Sequence, residues 1–276
     1  EMKKEEFYKE ALPDSIGPLE GIRVLEATHY GAGPLVGTLL ADLGAEDIKC
    51  DPPEGDIMRH VPFFLESEDG TLRENLTHLS INRNKKCITL NLKTPEGQKL
   101  FREVARTADV VVENFKPGTM EKWGLGYEDL RKVKPDIIYT SATGYGQFGP
   151  YAYRPGYDTV GLAYGGMMSV TGFPDGPPIR PGNAISDNIT GWLGAFATVS
   201  ALFYRSHTGR GQHIDVGQTD VILYTSLWGV LGASKGIPWN RAGNATPFAV
   251  VADLYPCKDG HVYIIVLSQS HWKRFC

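Results

Sequence analysis

Asp187 is the carboxylate whose surroundings hold most chemical promise. A glycine- and proline-rich stretch, Thr171 to Gly182, runs up to it, and a long apolar segment, Ile189-Thr190-Gly191-Trp192-Leu193-Gly194-Ala195-Phe196, follows. Ser and Asp at such a junction serve as helix N-caps that satisfy orphan N–H groups, and local sequence alone favours that role. The same place keeps a carboxylate ionised, because the helix dipole and free N–H groups stabilise the anion. An ionised carboxylate in an uncrowded, glycine-lined site can attack an activated acyl group, which is what covalent catalysis by Asp or Glu requires.

A second constellation is Gly31-Ala32-Gly33-Pro34-Leu35-Val36-Gly37, with Asp51 following the next strand-like run. Glycines at a strand-to-helix turn let phosphate approach the helix N-terminus, and an acid at the end of the second strand can grip a ribose. A plain tight turn explains the same residues equally well. His29, His60 and His78 show no metal-ligand spacing, so no metal is expected. Cys50, Cys87, Cys257 and Cys276 lie far apart without a C-x-x-C pair, which fits a reducing compartment. No serine or cysteine sits in a nucleophile elbow.

The elements that must position these groups alternate. Ile22 to Leu25 reads as a buried strand, Pro34 to Leu43 as a helix, and Asp47 to Cys50 as a second strand. Cys87 to Leu92 is a third strand. Thr94 and Pro95 then open a helix that carries Leu100, Phe101, Val104 and Ala105 at helical spacing. Strands at Asp109 to Val112 and Ile137 to Thr140 flank a helix at Tyr127 to Val133. Such repetition predicts an α/β fold, a mostly parallel sheet with helices on both faces. Ligands then bind beyond the carboxyl ends of the strands, which selects the loops Thr28 to Gly33, Glu113 to Gly118 and Ala142 to Pro150. Farther on, Tyr157 to Met168 reads as helical, a long helix runs from Ser186 to Ser206, Gln212 to Val216 is a strand, and Thr219 to Gly232 is a helix.

The 276 residues are 42% hydrophobic and 22% charged, enough to build a sizeable core. A net charge of −4 provides no basic field for nucleic acid or an anionic membrane. The local cluster Arg83, Lys85 and Lys86 can hold a phosphorylated small molecule, although a solvated surface is the commoner meaning. No run of 18 apolar residues occurs and the start is charged, so a soluble, cytoplasmic protein is expected. Glu1 at the start, and an end soon after the strand-like run Val262 to Leu267, suggest the ordered part of a longer chain.

In order, Gly31-Ala32-Gly33-Pro34, Ala41-Asp42-Leu43-Gly44-Ala45, Asn82-Arg83-Asn84-Lys85-Lys86 and Leu90-Asn91-Leu92-Lys93-Thr94-Pro95-Glu96-Gly97 form a recognisable series. It continues through Val112-Glu113-Asn114-Phe115-Lys116-Pro117-Gly118, Ser141-Ala142-Thr143-Gly144-Tyr145-Gly146-Gln147, Pro155-Gly156-Tyr157-Asp158, Ser186-Asp187 and Thr208-Gly209-Arg210-Gly211-Gln212. Each motif is weak by itself, but together, from residue 18 to about 265, they resemble the class III CoA-transferases, the carnitine/bile-acid-inducible family.

The resemblance implies a large Rossmann-like domain, placed at residues 1–205, and a linker with the start of a smaller α/β domain at 206–276. It also implies an interlocked dimer, homomeric or with a close homologue, and a C-terminal part beyond this sequence. Asp187 matches the family's nucleophile, which moves CoA between two carboxylic acids through an acyl-aspartyl anhydride and an aspartyl-CoA thioester. The substrate, a coenzyme A thioester, is expected to rest on Tyr30, Gly31, Ala32, Asn114, Lys122, Trp123 and Tyr145. Pro52 stands where some members carry an arginine near the adenine.

Two other functions compete. Racemases of the same fold have a His before the Asp that Asp158 matches; here that place is Tyr157, and a phenol of pKa about 10 is a poor base at neutral pH. A nicotinamide-dependent oxidoreductase takes Gly31 to Asp51 at face value. Trp123, Tyr153, Tyr157, Tyr164 and Trp192 can line an aromatic-tolerant pocket, but their spacing suits core packing better.

Overall fold

A computed structural model describes residues 2–9, 15–71 and 73–276. In chain order its elements are α1 (Lys4–Phe7), β1 (Arg23–Ala27), α2 (Ala32–Asp42), β2 (Glu46–Asp51), β3 (Phe64–Glu66), β4 (Arg73–Asn75), α3 (Leu76–Ile81), β5 (Lys85–Thr89), α4 (Pro95–Ala105) and β6 (Val110–Glu113). There follow α5 (Thr119–Lys122), α6 (Tyr127–Leu130), β7 (Ile138–Thr143), α7 (Asp158–Tyr164), α8 (Met167–Val170), α9 (Ile185–Thr208) and β8 (His213–Gly217). The last elements are α10 (Gln218–Thr225), α11 (Leu227–Ser234), β9 (Ala252–Cys257), β10 (Gly260–Ile265) and α12 (Gln269–Phe275).

Six strands form one parallel sheet in the order β5-β2-β1-β6-β7-β8. This is the strand order of doubly wound nucleotide-binding sheets, whose direction of winding reverses between β1 and β6. Val110, Val111 and Val112 are buried on both faces of the sheet, the mark of a central parallel strand. On one face Leu25, Val111 and Tyr139 pack against Phe101, Ala105, Met120 and Leu130 of α4 to α6. On the other, Val24, Val110 and Val112 meet Val36 and Leu40 of α2 and Ala195, Ala201 and Leu202 of α9.

The predicted strand–helix alternation is present, with shifts of a few residues. Thr94 caps α4, its hydroxyl accepting from the Gly97 N–H at 3.2 Å, as its sequence position requires. Leu100, expected on the core face of α4, is instead 55% exposed. The helix expected over 219–232 breaks at Ser226 into α10 and α11. The sixth strand lies at 213–217, past residue 205, and the run 260–265 pairs with 252–257 as an antiparallel hairpin before α12. No helix among the described residues is long and apolar enough to cross a membrane.

One packing contact decides where the chemistry falls. A Cβ on Gly191 would lie 2.7 Å from the Leu35 side chain, and one on Gly194 2.7 Å from Val36. Only bare backbone lets α9 lie this closely on α2. The N-termini of the two helices therefore meet above the carboxyl ends of β1 and β6.

Candidate active site

The loop after β1 is held from three sides. Asn114, just beyond β6, accepts from the His29 N–H at 2.9 Å and donates to the His29 carbonyl at 2.7 Å. The fully buried Lys49 ammonium donates to the Thr28 carbonyl at 2.6 Å and pairs with Asp56 at 3.0 Å and Asp51 at 3.2 Å. Tyr30 adopts a left-handed φ of 61° and packs edge-on against Tyr157. The outcome is a fixed loop that presents Gly31 and Ala32 at the start of α2.

Asp187 is the third residue of α9, not its N-cap. Ala184 occupies the cap and provides no side-chain hydrogen bond. Asp158, the first residue of α7, caps the helix from outside: its Oδ1 accepts from the Ser186 N–H at 2.9 Å and the Asp187 N–H at 3.4 Å, and its Oδ2 faces Arg180 at 3.3 Å. The expectation that free helix N–H groups hold the Asp187 anion is thereby corrected. Burial first, and the neighbouring Asp158 charge second, push Asp187 up to about 6. A hydrogen bond donated by the Gln218 amide to Oδ1 works against that rise. The other oxygen, Oδ2, faces Gly31, where an added Cβ would come within 2.5 Å of it. At neutral pH Asp187 is thus a predominantly ionised carboxylate with one oxygen anchored and the other beside bare backbone.

Two cavities meet over this site. One, of about 400 Å³, is lined by Tyr30, Gly31, Asn114, Asp158, Asp187 and Gln218 among others. The second, of about 550 Å³, runs over the ends of β1, β2 and β5 and includes Pro52, Ile57, Leu90, Lys93 and Trp123. His29, Tyr30 and Phe115 line both.

Of the residues expected to hold substrate, Tyr30, Gly31, Ala32 and Asn114 gather in the smaller cavity and Trp123 lies in the larger. Lys122 is exposed at the end of α5 and is not among the lining residues of either cavity. Tyr145 packs edge-on against Tyr151 and Tyr164, with ring centroids 5.7 and 5.3 Å away, and is likewise outside both linings. Asp51 is 4% exposed and turned inward to Lys49 and Arg59, so the acid read as a ribose ligand is already engaged. The cluster near residue 85 is engaged as well: Arg83 binds Asp42, Lys85 reaches buried Glu26 at 2.8 Å, and Lys86 pairs with Glu46 at 2.8 Å.

Gln218, Arg154 and Arg180 were not anticipated. Gln218 follows β8 directly, so the rule about strand carboxyl ends would have found it had that strand's end been included among the candidate loops. The arginines approach from the irregular stretch between β7 and α9, where no sequence period reports placement.

A family model described as CoA-transferase family III matches residues 19–276. The chain is 42% identical over 270 residues to the succinate–glutarate CoA-transferase of Agrobacterium fabrum, covering 96% of this chain and 67% of that protein. It is 39% identical over 247 residues to the beta subunit of the succinyl-CoA–L-malate CoA-transferase of Chloroflexus aurantiacus, covering 88% and 60%. The crystal structure of a CAIB/BAIF family protein from Brucella suis superposes with a TM-score of 0.83 at 40% identity, covering 89% of this chain and 65% of that one. The chain spans 60% to 67% of the length of these two curated relatives.

Proposed function

Because the chain belongs to CoA-transferase family III, we propose that the protein transfers CoA from an acyl-CoA thioester to a second carboxylic acid, with Asp187 as nucleophile. The observation that carries this reading is the state of Asp187: one oxygen anchored by Gln218, the other facing Gly31 in an open cavity. The substrate spans both cavities. Apolar walls at Pro52, Ile57 and Leu90 suit a purine ring, Lys93 suits phosphate, and the thioester lies beside Asp187.

The sequence of steps needs no net proton. Asp187 attacks the thioester carbonyl, the C–S bond breaks, and CoA leaves as thiolate from an acyl-aspartyl anhydride. The thiolate attacks the aspartyl carbonyl, releasing the donor acid and forming an aspartyl-CoA thioester. The acceptor carboxylate displaces thiolate from that thioester to form a second anhydride. The thiolate then takes the acceptor acyl group and frees Asp187. A racemase is disfavoured because Tyr157 stands in the proton-transfer place and Asp158 is committed to the α9 N-terminus and Arg180.

Cytoplasmic location, a large nucleotide-fold domain with a smaller one beyond it, and a dimer, homomeric or with a homologue, complete the proposal. The likeness to a relative called a beta subunit supports the heteromeric arrangement. The test is Asp187→Asn in the full-length protein, with Asp187→Ala beside it. Both should abolish transfer while CoA binding and melting temperature stay close to wild type. Wild-type enzyme given acyl-CoA and hydroxylamine should form a hydroxamate on the peptide containing Ser186-Asp187-Asn188. An Asn variant that transfers CoA at nearly the wild-type rate would sink the assignment.

A further inference from the structure

Five aromatic rings run in an unbroken row from the larger cavity to the smaller. Trp123 meets Phe115 at a centroid distance of 5.3 Å and Phe115 meets His29 at 5.1 Å. His29 in turn meets Tyr30 at 5.2 Å, and Tyr30 meets Tyr157 at 5.8 Å. Edge-on and tilted contacts of this kind stabilise rings beyond the area they bury. The row ends beside the nucleophile. Gly31 follows Tyr30 and faces Asp187, while Asp158 follows Tyr157 and caps the helix that carries Asp187.

Tyr30 is the member with an unusual backbone. Its φ of 61° is rare for a bulky side chain and persists only where the surroundings enforce it. Asn114 grips the His29 amide and carbonyl, so the peptide entering Tyr30 is fixed. The ring so held lines both cavities, and 38% of Tyr30 and 56% of Tyr157 remain exposed. Two rings in mutual contact, each facing partly into the smaller cavity and partly into solvent, form a rim.

Transfer has a competitor at this rim. Water attacking the aspartyl carbonyl of an aspartyl-CoA thioester breaks the C–S bond, releases CoA and returns Asp187 as a carboxylate. Of the two water protons, one goes to the thiolate and the other to solvent. Sites that carry reactive intermediates suppress such hydrolysis by excluding water. We propose that Tyr30, braced by Tyr157, keeps water from the aspartyl-CoA thioester and thereby sets the partition between transfer and hydrolysis. The proposal rests on the transferase reading above. It requires the ring and not the hydroxyl, and Tyr30 neither forms a bond nor moves a proton.

The test uses the full-length protein with acetyl-CoA or succinyl-CoA as donor and a panel of carboxylic acids as acceptors. Chromatography gives the free CoA released per new CoA thioester formed, and melting temperature is read on the same samples. Wild type should form new thioester far faster than free CoA. In Tyr30→Gly, which the left-handed backbone accommodates, the ratio should rise by roughly 10-fold or more. Tyr157→Ala, at an ordinary extended φ of −142°, should raise it too, and the double variant no further than the larger single effect. Tyr30→Phe should keep the wild-type ratio. An unchanged ratio in Tyr30→Gly overturns the proposal and leaves the transferase reading intact, with a raised KM for acyl-CoA marking a ring that only holds CoA. So does a wild type that hydrolyses as fast as it transfers, or a Tyr30→Phe ratio equal to that of Tyr30→Gly. Failure of wild type to transfer CoA from either donor to any acid of the panel overturns both.

Discussion

Gly31→Ala isolates the position of the nucleophile from the integrity of the fold. Gly31 has φ −108°, a conformation alanine adopts without strain, so the backbone itself does not resist the change. The new methyl would sit 2.5 Å from Asp187 Oδ2, whereas ordinary van der Waals contact begins at 3.4 Å. The carboxylate oxygen must therefore retreat by about 0.9 Å, and Gln218 holds its other oxygen against that movement. Misplacement of a reacting group by about 1 Å can cost 10²-fold in rate. We expect kcat to fall by roughly 100-fold. Stability should change little, because the lost freedom of the unfolded chain, about 0.4–1 kcal/mol, offsets part of the cost of displacing the carboxylate. The assay is discontinuous chromatography of the two CoA thioesters, with melting temperature measured on the same samples. Gly33→Ala is the contrast: its Cβ would press on the Asn114 side chain at 2.7 Å and Thr28 at 2.9 Å, which strains the clamp of the first loop rather than the Asp187 carboxylate itself. A Gly31→Ala enzyme with wild-type kcat refutes the geometry, and one that loses activity only by unfolding refutes the separation of position from stability.

Transfer should show an acidic limb near pH 6, below which Asp187 is protonated and unreactive. Asp158→Asn removes a like charge while keeping a capping oxygen, so the limb of the pH–rate profile should move down. Gln218→Leu removes a hydrogen bond to the ionised form, so the limb should move up. Shifts in the same direction would contradict this assignment of causes. Lys49→Met should destabilise the protein by about 3–5 kcal/mol in urea unfolding, because buried Glu26, Asp51 and Asp56 lose their shared cation. A loss under about 1 kcal/mol would refute the dependence of those acids on Lys49.

The sheet was legible because buried parallel strands leave a short apolar signature, as in Val110-Val111-Val112, and because Thr94-Pro95 is a local helix start whose cap lies in the same segment. Asp187 was legible as a helix-start carboxylate, but its environment was not. The cap comes from Asp158, far back in the chain, and the anchoring amide from Gln218, far ahead. Neither separation has a period that sequence can reveal. Asp51 shows the converse: its spacing from Gly31 fitted a ribose ligand, yet whether a carboxylate faces out or in depends on Lys49, two residues away on the same strand. Lys122 and Tyr145 were expected at the site through resemblance alone, and this chain's own packing places them outside the two cavity linings.

The paired hydrogen bonds between His29 and Asn114 join residues 85 positions apart. Their consequence belongs to biosynthesis. When the ribosome has released β1 and α2, every residue of the first loop is present, and Lys49 of β2 can soon hold the Thr28 carbonyl, yet nothing fixes the His29 carbonyl and amide until β6 arrives and docks beside β1. Contacts of such long sequence separation form late and slowly. During translation at about 5–20 residues per second, the separation of 85 positions leaves His29 unclamped for seconds. The reactive end of the molecule is thus assembled after much of its scaffold, and a nascent chain stalled before residue 114 would hold the first loop without its clasp.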